Sequence, residues 1–253
     1  IYTNDYSIPP SLNKFSRLGL FADDTLLWQI PANKDFLRTR MLQKTFLNFD
    51  DWCHLWKLKL NPKKCKSLKI TKSAENEYEK KYRYSLPGRD LERVTVFKYL
   101  GLHIDQALSF KSHIEKVSNR LDALLHKLSF FKKMGIHLSP KAVLSIYKAK
   151  GRSSIEYAAL HYLHKDTDGT LQRYQNRFLR HATGAKNTTP IDIMERLTKL
   201  EPLKQREETI QCRHWLRVLF SPDDHPLRAS LRLHVKYNSN VVQGSFSALK
   251  IKR

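Results

Sequence analysis

The chain has 253 residues, 41% of them hydrophobic, which is enough for one large domain or two small ones. Its 46 lysines and arginines outnumber 24 aspartates and glutamates, and the formal net charge of +22 favours a polyanionic partner, most simply nucleic acid, over a basic protein with no specific partner. No apolar run approaches the roughly 18 residues of a membrane span, and no signal-peptide pattern opens the chain, so we expect neither a membrane protein nor a secreted one.

The cysteines indicate the compartment rather than the chemistry. Cys53, Cys65 and Cys212 are widely spaced, and no pair has the spacing of a zinc finger or a redox motif. We therefore expect free thiols in a reducing compartment, the nucleus or the cytoplasm.

Near the start of the chain, two short apolar runs flank an acidic pair, Asp23-Asp24. Each run is too short for a stable helix and ends at a turn-tolerant dipeptide, which predicts a β-hairpin with strands over about Arg17–Ala22 and Thr25–Ile30. Adjacent carboxylates repel one another, and apolar strands should bring them towards a low-dielectric environment. A divalent cation would stabilise such a pair, and its hard oxygen ligands suit Mg²⁺ or Mn²⁺.

The same dipeptide occurs twice more, so it carries little weight alone. Asp50-Asp51 lies in a helical pattern, where we expect a solvated face, and Asp223-Asp224 lies between two prolines, where we expect a loop. Only Asp23-Asp24 has apolar strands on both sides.

Phe-Ala-Asp-Asp between two apolar strands resembles the catalytic hairpin of reverse transcriptases, in particular those of non-LTR (LINE-like) retrotransposons. Further along, the string from Leu171 to Gly184 resembles arthropod-type elements of this group. The resemblance implies that Asp23 is a primary Mg²⁺ ligand and Asp24 its weaker neighbour. It also implies an RNA-directed DNA polymerase that adds deoxynucleotides to a primer 3′ end by two-metal phosphoryl transfer, with an RNA template and a DNA primer as partners. The implied fold is α/β, a partial polymerase palm of antiparallel strands with a packed helix, followed by an all-helical thumb.

An amphipathic helix is predicted after the hairpin, from Lys34 to about Leu60, where Asn61-Pro62 should stop it. We expect its apolar stripe to pack under a sheet. The stripe consists of Leu37, Met41, Leu42, Phe46, Phe49, Trp52 and Trp56.

The segment that follows, Lys63 to Thr71, predicts a turn feeding a strand. Lys64 falls where the resembled family has a lysine, and there it could meet the pyrophosphate leaving group as a charge or a proton donor. A surface lysine before a strand is an equally open interpretation.

A charged loop is expected over 72–81, and a hairpin around Pro87-Gly88. The next run predicts one strand with two faces: Val94, Val96, Leu100, Leu102 and Ile104 on one, and Phe97 and Tyr99 on the other. Its segment Phe97-Lys98-Tyr99-Leu100-Gly101 resembles the family's primer grip, where an aromatic ring and a glycine let backbone approach the primer's sugar-phosphate. An ordinary amphipathic strand is the alternative.

Helical periodicity dominates the rest of the chain. A stripe from Ile114 to Phe131 predicts a helix over about Ser112 to Phe131, and its placement resembles the polymerase thumb. Four basic side chains lie off the stripe, either as a solvated face or as contacts along a duplex backbone: Lys116, Arg120, His126 and Lys127. Further helices should start at Ser139-Pro140, Thr189-Pro190 and Glu201-Pro202, with a stripe of Leu171, Tyr174, Phe178 and Leu179 between them.

We accordingly expect a partial palm over 1–108, a helical thumb over 109–185, and a helical connection with an irregular tail over 186–253. The family's fingers and first catalytic Asp strand should precede Ile1, so we expect the chain alone to be inactive, because two-metal catalysis needs carboxylates from both palm strands. Two other hypotheses remain: a non-catalytic nucleic-acid-binding remnant of a degraded element, and a Mg²⁺-dependent hydrolase, which would need a further acidic motif.

Overall fold

The computed structural model of the chain describes residues 6–13, 16–29, 35–71, 83–87, 89–222 and 227–228. The chain divides into two compact units, Ile1–Ser109 and Phe110–Arg253. Among the described residues, the first unit combines small sheets with one long helix and the second is helical, so the mixture is compatible with the predicted α/β class. Within these described ranges, no helix is long and apolar enough to cross a membrane.

The predicted acidic hairpin is confirmed. After a short helix α1 (Pro10–Asn13), strands β1 (Ser16–Phe21) and β2 (Asp24–Gln29) pair antiparallel. Each strand begins one residue earlier than predicted, so the turn consists of Ala22 and Asp23, and Asp24 opens the second strand opposite Phe21.

Helix α2 (Asp35–Leu55) packs against this hairpin, as its apolar stripe predicts. A hydrogen bond of 3.0 Å joins the hydroxyl oxygens of Thr45 and Ser16, and both residues are fully buried. Beside them, Phe49 packs edge-on against Tyr6 with ring centroids 5.0 Å apart. Hydroxyls paired across the interface satisfy each other, so the polar contact between helix and strand is stable in a buried setting.

The predicted end of α2 was wrong. The helix ends at Leu55, before the Asn61-Pro62 stop, because Lys57 adopts a left-handed conformation with φ 56°. Two hydrogen bonds then close the last turn in the pattern of a Schellman motif, which ends a helix without proline. These bonds run from Lys57 N to His54 O at 3.0 Å and from Leu58 N to Cys53 O at 2.8 Å.

Two small sheets follow. The turn predicted at the start of the segment from Lys63 to Thr71 is present, at 62–64. Regular strand structure after it covers only β3 (Lys66–Ser67), which pairs parallel with β6 (Glu92–Arg93). Strands β4 (Ser85–Leu86) and β5 (Arg89–Asp90) form the hairpin predicted around Pro87. The charged stretch over 72–81 lies outside the described residues.

The segment predicted as one strand is a second tight hairpin. Strands β7 (Val96–Tyr99) and β8 (Leu102–Asp105) pair antiparallel, and Leu100 and Gly101 form the turn between them. Both turn residues have positive φ, 45° and 85°, as a two-residue type I′ turn requires. Strand periodicity continues through such a turn, so the apolar pattern alone did not reveal it.

This turn also corrects the predicted faces. Residues that pair directly across antiparallel strands point to the same side of the sheet. Phe97 pairs with Ile104 and Tyr99 with Leu102, so these four side chains share one face, whereas the prediction placed Leu102 and Ile104 opposite the aromatic rings.

In the second unit, the predicted long helix is confirmed as α3 (Lys111–Lys133). Of its apolar stripe, Ile114 and Leu124 are half-buried, and Phe131 at the end is 40% exposed. The buried side chains of the helix are His113, Val117, Ser118, Leu121, Leu125 and Leu128.

All three predicted helix starts are confirmed. At the first, the Ser139 hydroxyl accepts a hydrogen bond from the Ala142 amide at 3.2 Å, as an N-cap does. The remaining elements are α4 (Pro140–Ile146), a π-helix (Tyr147–Arg152), α5 (Ser153–Glu156), α6 (Ala159–Tyr162), a 3-10 helix (Leu163–Lys165), α7 (Thr170–Thr183), α8 (Ile191–Thr198) and α9 (Leu203–Leu219).

The π-helix was not predicted, and it surrounds the most crowded glycine of the unit. A Cβ atom on Gly151 would lie 2.6 Å from Cδ2 of Tyr147, so only glycine fits. The Tyr147 ring is fully buried, and its hydroxyl donates to Oε1 of the equally buried Gln175 at 2.8 Å. The wide turn therefore accommodates a buried ring that reaches a polar partner on α7.

Candidate functional site

The acidic pair lies at the tip of the first hairpin. Asp23 is in the turn, Asp24 begins β2, and both side chains are exposed, so the prediction that apolar strands bring them into low-dielectric surroundings was wrong. Ala22 precedes them with φ 53°, a left-handed conformation that costs a non-glycine residue about 1–2 kcal/mol. The tight turn thus presents two carboxylates to solvent on a strained backbone.

The two faces of the hairpin have different surroundings. Ser16 is hydrogen-bonded to α2 and Leu18 packs against the Tyr6–Phe49 core, so this face is directed inward. Along β1, Gly19 and Phe21 lie on the face opposite to Ser16 and Leu18, because side chains alternate along a strand. Asp24 pairs with Phe21 and therefore lies on that outer face as well. The hairpin thus has an inner face that packs on the core and an outer face that carries Gly19 and Asp24.

Tyr99 of the second hairpin reaches that surface. A Cβ atom on Gly19 would lie 3.2 Å from Cζ3 of Trp28 and 3.9 Å from the Tyr99 hydroxyl oxygen. Burial, and then the negative charge of Asp24, raise the pKa of Tyr99 above its ordinary value. The structure thus brings the aromatic residue of the predicted primer grip to the acidic hairpin, with its phenol neutral and able to donate a hydrogen bond.

Gly19 and Trp28 were not singled out from the sequence. A glycine inside a strand is a signal of close approach by another group, and here the approaching groups are the Trp28 ring and the Tyr99 hydroxyl. That signal was present at Gly19 but was not used.

The remaining site residues predicted in the first unit do not all lie on this outer face of the hairpin. Lys98 is exposed and pairs with His103 on the face away from Tyr99, while Leu100 and Gly101 form the turn. Lys64 is exposed in the turn after α2, and its role stays a prediction.

In the second unit, Lys116, Arg120 and Lys127 are all exposed on α3. Their spacings of four and seven residues place them on one side of the helix, where they span about 16 Å at about 1.5 Å per residue. The neighbouring His126 instead pairs with Asp122 at 3.1 Å. Three of the four predicted cations therefore share one exposed side of the helix, and their contact with a duplex backbone stays a prediction.

A complete metal site is not visible in the described part of the chain: no three His, Cys, Asp or Glu side chains come together there as metal ligands would. The hard oxygens of Asp23 and Asp24 suit Mg²⁺ or Mn²⁺ in their chemistry, but as a pair they are only part of a ligand set.

Asp50 and Asp51 were both predicted to lie on a solvated helix face, and this prediction was wrong for Asp50. Asp51 is exposed, but Asp50 is 6% exposed and lies 3.7 Å from His54. Burial first, and then the charge of Asp50, raise the pKa of Cys53 to about 11, so this thiol is neutral and unreactive. Asp223-Asp224 lies outside the described residues.

Two curated proteins are similar to the chain. The RNA-directed DNA polymerase from mobile element jockey of Drosophila melanogaster is 24% identical over 214 residues, which are 81% of this chain and 22% of that protein. The chain resembles the reverse transcriptases of non-LTR retrotransposons. The probable RNA-directed DNA polymerase from transposon BS, of the same organism, is 25% identical over 155 residues, 58% of this chain and 16% of that protein.

The resemblance predicted from the sequence is therefore confirmed, and the chain spans less than a quarter of either relative's length. No protein-family model matches the chain. No solved structure matches it either.

Proposed function

We propose that this chain is part of an RNA-directed DNA polymerase that adds deoxynucleotides to a primer 3′ end on an RNA template. The observation that carries the proposal is the juxtaposition of the exposed pair Asp23-Asp24 with Tyr99, from two separate hairpins, in a chain similar to two such polymerases. The similarity supplies the reaction class, and the juxtaposition supplies a surface on which a primer end and acidic ligands could meet.

Asp23 and Asp24 would hold the divalent cation, which supplies charge stabilisation at the attacking and leaving oxygens of phosphoryl transfer. Two-metal sites need ligands from both sides of the reacting phosphate, and Asp23 and Asp24 would provide one side. We therefore propose that a further carboxylate comes from the segment that precedes this hairpin in the resembled family.

Tyr99 and the turn beside it would position the primer. The phenol keeps its proton, so it can donate to a sugar or phosphate oxygen close to Asp24. Leu100 and Gly101 form a tight backbone turn on the same hairpin, and Gly101 has no side chain to keep a sugar-phosphate at a distance. Lys64 would contribute a charge towards the leaving group.

Lys116, Arg120 and Lys127 would bind backbone phosphates without reading sequence. Their binding should be strongly salt-dependent, because each neutralised phosphate releases counterions. Replacing all three by glutamine should lower the steepness of log K against log salt by about 2–3 for an RNA–DNA duplex. An unchanged slope would show that the stripe does not contact phosphates.

The deciding experiment is primer extension on an RNA template with Mg²⁺. It uses the chain together with the coding segment that precedes the hairpin, because we expect the 253-residue chain alone to be inactive. Asp23→Asn should abolish extension, while Asp51→Asn, which removes an exposed carboxylate from α2, should leave it intact. Full activity of Asp23→Asn would refute the catalytic assignment.

The alternative is a non-catalytic nucleic-acid-binding remnant, which the net charge of +22 and the incomplete ligand set would equally suit. It predicts salt-steep duplex binding with no extension by the longer protein. The hydrolase hypothesis needs a further acidic cluster, and the described ranges contain none with three potential ligands.

A further inference from the structure

A basic cleft opens in the first unit, apart from the acidic hairpin. It has a volume of about 320 Å³, within the range of small-molecule sites, and lies where the turn after α2 meets strands β5 and β6. Two carboxylates, Asp90 and Glu92, are among its lining residues. Five cations outnumber them: Lys63, Lys66, Arg83, Arg89 and Arg93.

Strand pairing explains how these charges converge. The parallel pair β3–β6 places Lys66 opposite Glu92, and their side chains form an ion pair. The same pairing brings Arg93 beside β3, and the β4–β5 hairpin brings Arg89 to the adjacent edge. Apart from this ion pair, four cations and one carboxylate, Asp90, line the cleft, so its net charge is positive, and a concave positive surface concentrates anions.

We propose that this cleft binds phosphate groups. Arginine presents a planar fork of donors that matches phosphate oxygens, and lysine adds a point charge, so Arg89 and Lys63 are suited to the same anion. None of the described lining residues is aromatic, so the cleft offers phosphate recognition without a ring on which a base could stack. Recognition should therefore be independent of base identity.

This inference goes beyond the proposed function, because the cleft contains none of the residues assigned to metal or primer. Its phosphate groups could come from a nucleotide's polyphosphate chain or from the backbone of a nucleic acid. The chemistry of recognition is shared, and two probes distinguish the sources: inorganic tripolyphosphate and a short single-stranded oligonucleotide.

The test uses the full chain with Lys63 and Arg89 both replaced by glutamine. The matched control replaces Lys44 and Lys59 by glutamine, which removes the same charge from exposed positions of the same unit. Calorimetry measures tripolyphosphate binding, fluorescence anisotropy measures oligonucleotide binding, and circular dichroism confirms that each variant is folded.

We expect the cleft variant to lose about tenfold or more in affinity for at least one probe, and the control about twofold or less. Arg89→Lys alone should lose less affinity than the double variant, since lysine keeps the charge but not the planar fork of donors. Loss of affinity for tripolyphosphate only would assign the cleft to a nucleotide, and loss of affinity for the oligonucleotide only would assign it to a nucleic-acid backbone. Loss of affinity for both probes supports either source.

Equal losses of affinity in the cleft and control variants, or no loss for either probe, would overturn the proposal. Neither result depends on primer extension, so this proposal and the proposed function can fail separately.

Discussion

Replacing Glu156 by glutamine should destabilise the second unit, because this carboxylate joins two arginines from different elements. Arg206 donates to it through Nε at 2.7 Å and Nη2 at 2.9 Å, and Arg152 through Nε at 3.0 Å. Glu201 accepts from Arg152 at 3.2 Å and completes the network. The side chains of Arg152, Arg206 and Glu156 are only 11%, 24% and 25% exposed.

The magnitude follows from what glutamine can still do. It keeps one acceptor, but its amide nitrogen faces an arginine donor and the negative charge is gone. Removing one partner of a fully buried pair costs about 3–5 kcal/mol, and the partial exposure of this one lowers the expected loss to about 2–3 kcal/mol. For a unit of this size, that corresponds to a fall in Tm of roughly 6–12 °C.

The pH dependence gives a sharper test. Burial alone would raise the pKa of Glu156, but the hydrogen bonds and charges of Arg206 and Arg152 outweigh it, so the pKa is lowered below 4.5. A carboxylate with a depressed pKa in the folded state contributes its stability above the unfolded pKa, and loses it as the pH falls through the folded value. The gap between the parent chain and Glu156→Gln should therefore be full at neutral pH and shrink below about pH 4.5.

Urea unfolding, followed by the helical circular dichroism signal, measures this gap at each pH. Glu208→Gln is the control, since Glu208 is exposed on the same helix as Arg206 and should change stability by less than about 0.5 kcal/mol. A gap that stays constant down to pH values well below 4.5 would refute the reasoning, because it would show that charge on Glu156 does not stabilise the fold.

Two further predictions concern a glycine and a tyrosine. Gly151→Ala should lower the free energy of unfolding by about 2 kcal/mol or more, because the new Cβ would lie 2.6 Å from the buried Tyr147 ring. Gly135→Ala is the control: it meets nothing within 4 Å and should cost only about 1 kcal/mol for its positive φ, so equal losses would contradict the crowding argument. Asp24→Asn should lower the pKa of Tyr99 towards 10.0, measured by NMR titration of ring-labelled tyrosine. An unchanged Tyr99 titration would mean that the two hairpins do not meet as described.

The parts of the fold that were predicted correctly are those that local sequence specifies. An apolar stripe at helical spacing predicted α3, and Ser139-Pro140 predicted the start of α4, because both signals act within a few residues. The acidic hairpin was predicted for the same reason.

The errors arose where backbone conformation departs from what side chains suggest. Lys57 ends α2 by adopting a left-handed conformation, although lysine carries no preference for it. Leu100 does the same in the second hairpin, so a run that alternates like one strand is folded into two. The approach of the Tyr99 hydroxyl to Gly19 joins segments far apart in the chain, which periodicity does not report.

These features decide how variants at the candidate site should be interpreted. Asp23 and Asp24 are exposed, and the turn that carries them is set by the conformation of Ala22 rather than by burial of the carboxylates. Replacing either acid by asparagine should therefore change stability by no more than about 0.5 kcal/mol. Since the fold does not depend on these charges, a loss of primer extension in Asp23→Asn would report chemistry at the carboxylate and not unfolding. The partly buried ion pairs of Glu156 do contribute to the fold, so variants of Glu156 report stability and not chemistry.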